Sequence, residues 1–238
     1  MGLGDIISDS VQYPFSDIQK FLIVGVISLF SGLSSLFGNW GVDSFILITL
    51  AGIIGLIFTL MLSGYSISVT KYAINHSSQL PDLDFQNNLI DGIKALIISI
   101  VYFIIPIIIT LIFAIITGAI GAGLNQLVAG LGVFAVIAVI VFIFFAIFEI
   151  VALARFADTG ELGEALNIGE VIEDVKKIGI GKIILFAIVS VIIIIIASLI
   201  VSLLGIIPFI GILIAQLIIG AFITLFYSRA IGLLYAEA

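Results

Sequence analysis

The chain carries one carboxylate inside a long apolar run. Glu149 lies in FFAIFEIVALARF, six residues ahead of Arg155. On a helix rising about 1.5 Å per residue, that spacing separates the two by about 9 Å along the axis. A charge at the centre of a membrane helix costs roughly 2.5–3.5 kcal/mol on insertion scales, so such a group must pair, reach water or serve a function. Glu149 has two readings: an interfacial carboxylate meeting water or a nearby Lys or Arg, or a proton- or cation-linked group lining a cavity. Gln216, about two turns into the last apolar run, is the second candidate. Its amide suits an interhelical hydrogen bond worth about 0.6 kcal/mol, or a polar route. Tyr65, Tyr102, Tyr227, Thr59, Ser63, Ser66, Ser99, Thr110 and Ser190 could line such a route, although hydroxyls in helices commonly bond their own backbone.

Other chemistries lack their parts. There is no cysteine, which removes thiol nucleophiles, thiolate metal sites and disulfides. The single histidine argues against a histidine metal centre or a Ser–His relay. No catalytic residue, cofactor site or metal site is therefore expected, and the protein is expected not to be an enzyme. Asn75-His76-Ser77 fits the glycosylation acceptor pattern, but a three-residue match weighs little against the distribution of basic residues set out below.

A second set of charges falls at regular spacing. Asp17/Lys20, Asp91/Lys94 and Asp174/Lys177 are each three apart. Exposed pairs at that spacing contribute only about 0.2–0.5 kcal/mol. They read as candidate interfacial pairs, with lysine snorkelling to the headgroups and aspartate in water. Arg155 belongs to the same boundary.

The elements that must hold these residues are membrane helices. Of 238 residues, 63% are hydrophobic and 10% charged, with mean hydropathy +1.45. Soluble domains carry about 25% charged residues. Crossing lipid takes roughly 20 apolar residues. Six runs qualify: Phe21–Phe37, Phe45–Val69, Ile93–Thr117, Leu127–Leu153, Ile183–Leu204 and Phe209–Arg229. With six spans, all eight basic residues fall on one side. The opposite connections Gly38–Ser44, Gly118–Gln126 and Gly205–Pro208 hold Asp43 as their only charge. The positive-inside rule then puts both termini in the cytoplasm of a multi-pass cell-membrane protein. The acidic, uncleaved start (Asp5, Asp9, Asp17) does not look like a signal peptide.

The cytoplasmic segments repeat. LDFQNNLIDGIK from Leu83 aligns without gaps on LNIGEVIEDVKK from Leu166, and the first segment ends in Asp17-Ile18-Gln19-Lys20. The even-numbered spans close alike, on Lys71-Tyr72-Ala73, Arg155-Phe156-Ala157 and Arg229-Ala230. Ile168, Val171, Ile172, Val175 and Ile178 form an apolar stripe opposite Glu170, Glu173, Asp174 and Lys177. Asn167 with Glu170 resembles a capping box, and Asp84 can cap the second segment. The expected fold is thus an all-α membrane protein of six transmembrane helices. They form three hairpins, each preceded by a short cytoplasmic amphipathic helix, in a pseudo-threefold repeat. The chain is one integral membrane domain with units 1–78, 79–160 and 161–238. Small residues at Ser28/Gly32, Gly52/Gly55 and Gly211/Ala215 suit close helix contact.

Tyr13-Pro14-Phe15 with Asp17 and Lys20, Leu80-Pro81 followed by Asp91-Gly92-x-Lys94, and Ala154-Arg155-Phe156-Ala157-x-x-Gly160 together resemble the family of domain of unknown function 4013. The resemblance covers nearly the whole chain. It implies a polytopic membrane protein and carries over no catalytic residues.

Two functions compete. The first expectation is a non-enzymatic membrane scaffold or partner subunit. The alternative is a small transporter or channel with a polar pathway near Glu149 and Gln216. Expected partners are the lipid bilayer and either a second copy of the chain or another membrane protein, with no nucleic acid. A polar cavity containing Glu149 would favour transport; a bundle packed dry throughout would count against it.

Overall fold

Apolar helices in lipid satisfy their backbone hydrogen bonds internally, which leaves few alternatives to a helical bundle. A computed structural model of the chain describes residues 1–116, 124–207 and 209–238 (backbone alone at 116 and 124–134). The described residues are mostly helical, with no strand among them. The elements are α1 (Leu3–Gln12), a 3₁₀ turn (Tyr13–Phe15), α2 (Ile18–Ser31), α3 (Leu33–Asn39), α4 (Phe45–Ile74) and α5 (Phe85–Ile116). They continue with α6 (Leu124–Thr159), α7 (Leu162–Leu166), α8 (Ile168–Ile178), α9 (Ile180–Leu204), α10 (Ile210–Ile214), a π-helical stretch (Ala215–Gly220) and α11 (Ala221–Tyr235). The expected connection Gly118–Gln126 falls mostly outside the described residues, as does Pro208.

Five helical segments among the described residues are long and apolar enough to cross a membrane: Phe45–Ile74, Phe85–Ile115, Ala135–Thr159, Ile180–Leu204 and Ile210–Tyr235. Within their most apolar windows only 17–28% of residues are buried in the chain. The rest present mainly Ile, Leu, Val and Phe outward. An apolar surface this large marks membrane contact rather than a face turned to water. The expected first span, Phe21–Phe37, is not one helix: it is divided between α2 and α3 at Gly32. Leu3–Phe15 and Ile18–Ser31 meet at 88°. Pro14 in the 3₁₀ turn supplies the corner, Ser16 Oγ donates to Tyr13 O (2.8 Å), and the Tyr13 hydroxyl donates to Gln79 O (2.9 Å).

The segments expected as entry helices of the second and third units lead into their apolar helices differently. In the third, Gly179 (φ +92°) separates α8 from α9, a backbone conformation that suits glycine. In the second there is no separate short helix: α5 runs unbroken from Phe85 through the apolar stretch. No proline or left-handed glycine interrupts Phe85–Lys94, and Gly92 is held against α4. A Cβ on Gly92 would lie 1.8 Å from Leu60 O, and one on Gly64 would lie 1.7 Å from Asn88 O. α4 and α5 thus approach closely here, at a place other than the small-residue pairs expected from spacing. Gly52 has nothing within 4 Å of its Cβ position, whereas Gly55 faces Ser31 O at 2.9 Å.

The larger cluster of buried residues lies at the charged end of the bundle. There Ile6, Ala73, Phe156, Val171, Val175 and Leu233 pack together. The apolar stripe of α8 turns inward on Val171, Val175 and Ile178. Asn167 precedes α8 without a side-chain cap bond, so the expected capping box is not formed. Asp84 does cap α5, accepting from Asn87 N at 3.0 Å.

Candidate functional site

Glu149 projects from α6 into a cavity of about 640 Å³ walled by α4, α5, α6, α9 and α11. Ser99 Oγ donates to Glu149 Oε1 at 2.6 Å, and this bond ties α5 to α6. Thr59, Ser63, Ser66, Thr70 and Tyr227 also line the cavity, between Leu56, Leu60, Leu96 and Ile150. Volume and lining match a ligand cavity, which typically runs about 300–1,000 Å³ with mostly apolar walls and a few placed polar groups.

Gln216 faces a second cavity of about 520 Å³, with Ser28, Ser198, Ser202 and Thr224. The two cavities share Ile194, Ile223 and Thr224 as wall. Gln216 lies in the π-helical stretch, and its side chain packs on Gly32 at the α2–α3 break. A Cβ on Gly25 would lie 2.2 Å from Leu217 O, and one on Gly220 would lie 2.1 Å from Ser28 Oγ. Glycine is what lets α2 approach this irregular turn. π-helical turns recur at functional sites because their unusual bonding re-aims side chains.

The other hydroxyls picked out by type have separate roles. Tyr65 donates to Pro81 O and Tyr102 to Ala165 O, tying the loop before α5 and the short helix α7 to the bundle. Thr110 donates to Pro106 O. Ser190 Oγ is buried without a hydrogen-bond partner.

The expected interfacial pairs are sorted by geometry. Lys94 Nζ meets Asp91 Oδ1 at 3.2 Å and lies 5.4 Å from the Phe156 ring centroid. Asp17 does not pair with Lys20. Its Oδ1 caps α2, accepting from Gln19 N and Lys20 N at 3.0 and 3.1 Å. The Lys20 ammonium turns instead to Asp82 (2.8 Å) and Leu80 O (2.7 Å). That bond holds the exposed Asp82 carboxyl below its ordinary pKa. Asp174 is not in water but 2% exposed. It accepts from Arg155 Nη1 at 2.7 Å and from the Tyr235 hydroxyl at 2.9 Å, with Lys177 at 3.5 Å. Glu164 and Glu170 complete the ring around Arg155, at 2.6 and 3.1 Å from Nη2. These partners lie 9 to 19 residues along the chain from Arg155, beyond any helical spacing, so sequence pattern did not reveal them. The N-terminal ammonium and Lys182 both engage Glu237 and hold its carboxyl below the usual range, the Lys182 hydrogen bond being the larger influence. Among the described residues no group of three or more His, Cys, Asp or Glu could hold a metal ion.

These features define a polytopic helical membrane protein with a mostly apolar cavity that holds Glu149 and a few hydroxyls. The chain belongs to the family described as protein of unknown function (DUF4013), which matches residues 47–206. No curated protein and no solved structure matches it.

Proposed function

We propose that this protein is a small, non-enzymatic membrane transporter whose route runs from the Glu149 cavity past Thr224 to the Gln216 cavity. The observation that carries the reading is the shared wall of those two cavities. Glu149 and Gln216, selected by type for their cost in lipid, each border one of them. A carboxylate kept in an apolar bundle without a salt bridge is expensive, and proteins retain such groups on ion and solute pathways.

The same reading takes α2–α3 as a first crossing broken at Gly32, giving six spans with both termini in the cytoplasm of a cell-membrane protein. The one-sided Lys and Arg support it. A divergent threefold repeat is supported by two ion pairs. Arg155 closes the second hairpin and pairs with Asp174 in the entry segment of the third unit. Arg229 closes the third hairpin and pairs with Asp9 in the entry segment of the first. The bilayer, and a second copy or another membrane protein, remain the partners in this reading.

The chain has no cysteine, so an introduced thiol is unique. Ser66→Cys (first cavity), Ser198→Cys (second cavity) and Ile108→Cys (outward apolar face) are treated with iodoacetamide in reconstituted vesicles. Water along the route makes the thiols at 66 and 198 reactive and leaves that at 108 slow. Equal inertness at all three would favour the scaffold reading and remove the route.

A further inference from the structure

The Glu149 cavity has one-sided hydrogen-bonding chemistry. The described residues that line it include no Lys, Arg, His, Asn, Gln or Trp. Glu149 forms no salt bridge; its bond is to Ser99. Five further wall hydroxyls have committed their protons to backbone carbonyls: Thr59 to Gly55, Ser66 to Leu62, Thr70 to Ser66, Thr224 to Gly220 and Ser228 to Thr224. A hydroxyl that has donated keeps acceptor capacity. The wall therefore offers one carboxylate and several acceptor oxygens, with Ser63 and Tyr227 as the remaining hydroxyl donors.

We infer that the cavity binds a protonated amine on an apolar body, its ammonium at Glu149 and its hydrocarbon against Leu56, Leu60, Leu96 and Ile150. An anion would meet the Glu149 charge with no cation beside it. A bare metal ion requires several converging oxygen ligands, whereas Glu149 is the only carboxylate here and the volume far exceeds an ion's. A neutral solute would leave the carboxylate uncompensated in an apolar site. An alkylammonium supplies the charge, up to three N–H donors and the apolar surface together.

This assignment rests on the transport reading, and the test separates the two. The Ser66→Cys chain, in vesicles of zwitterionic lipid, is labelled with iodoacetamide in the presence of hexylammonium, hexanol or hexanoate. Hexylammonium is expected to halve the labelling rate at a concentration roughly tenfold or more below that of hexanol, as a charge-assisted hydrogen bond implies; hexanoate is expected to be weakest. Adding Glu149→Gln, which keeps an acceptor for Ser99, should abolish the preference, and Glu149→Asp should retain it. Equal protection by all three probes, or a preference that survives Glu149→Gln, overturns the amine assignment while labelled thiol leaves the hydrated cavity standing. A thiol at position 66 that never reacts overturns both. Should Glu149→Gln fail to fold, the ranking of the three probes on the otherwise unchanged chain decides.

Discussion

Arg229 Nε donates to Asp9 Oδ1 at 2.7 Å, joining the last helix to the first across 220 residues of chain. The guanidinium also donates to Ser77 O and lies 4.6 Å from the centroid of the Tyr13 ring. With Arg229 4% exposed, removing its carboxylate leaves a buried charge short of a partner. Asp9→Ala is expected to destabilise by about 1–3 kcal/mol, whereas Asp5→Ala, which loses only an exposed capping bond from Gly2 N, should cost less. Unfolding of both variants in mixed micelles measures the difference, and equal effects would reduce the Arg229 contact to surface decoration.

The Arg155 ring predicts an asymmetric cost. Removing the cation leaves the buried Asp174 with Tyr235 and the exposed Lys177 at 3.5 Å, and breaking buried pairs this way costs about 3–5 kcal/mol. Arg155→Met should therefore destabilise more than Asp174→Asn, after which Glu164 and Glu170 still hold the guanidinium. The partly exposed Asp91–Lys94 pair sets the scale: Lys94→Ala should fall within about 1 kcal/mol of the unaltered chain. A reversed order of Arg155→Met and Asp174→Asn in the same unfolding assay would remove Asp174 as the key partner.

Helix positions were legible because lipid demands long apolar runs, and five of the six expected runs correspond to long helical segments. The breaks were less legible. Gly32 divides the first run within Ser31-Gly32-Leu33-Ser34-Ser35, a small polar patch that the apolar residues on either side outweigh in a hydropathy window, and Phe85–Lys94 joins its span although its twin, Ile168–Ile178, stands apart at Gly179. Glu149 and Gln216 were legible as costly residue types. That Ser99 would reach Glu149, and that the two cavities would adjoin, depends on packing between helices 50 or more residues apart, which local pattern does not encode. The Asp17/Lys20 spacing misled because a capping carboxylate and a salt-bridging one look identical in sequence.

Close helix approach gives a prediction that spacing alone would have misassigned. Gly64→Ala and Gly92→Ala place a methyl within 1.8 Å of a facing carbonyl oxygen, so α4 and α5 must separate. Overpacking of this kind typically costs about 1–3 kcal/mol. Gly52→Ala meets open space and should be neutral or stabilising, since alanine is the better helix former. Thermal unfolding in detergent ranks the three; a Gly52 variant as damaged as the Gly92 variant would contradict the packing described.

Glu237 and Asp82 carry an acid dependence. Their folded carboxyls titrate below the unfolded values because Lys182 with the N-terminus, and Lys20, hold them charged. The unfolded chain then binds more protons in acid, so this stabilisation is present above the ordinary carboxylate pKa of about 4 and is lost as pH falls through the depressed folded values. Melting temperature should decline as pH drops below about 4, and Glu237→Gln should flatten that decline while lowering stability at neutral pH. A decline unchanged by Glu237→Gln with Asp82→Asn would place the acid sensitivity elsewhere.

Gln216 offers the sharpest separation of transport from scaffolding. Its amide costs little to replace in a helix bundle, since membrane hydrogen bonds average about 0.6 kcal/mol. Gln216→Leu should therefore leave abundance and unfolding nearly unchanged. The same substitution replaces the amide by hydrocarbon at the wall of the second cavity, opposite Ser28 and Gly32 where α2 crosses the π-helical stretch. If that cavity is the outer half of a route, Ser198→Cys labelling should slow markedly in the Gln216→Leu background. Labelling of Ser66→Cys from the charged end should persist. Reaction at 198 as fast as before would mean that water reaches Ser198 without passing Gln216, and the proposed route would have to leave α10–α11.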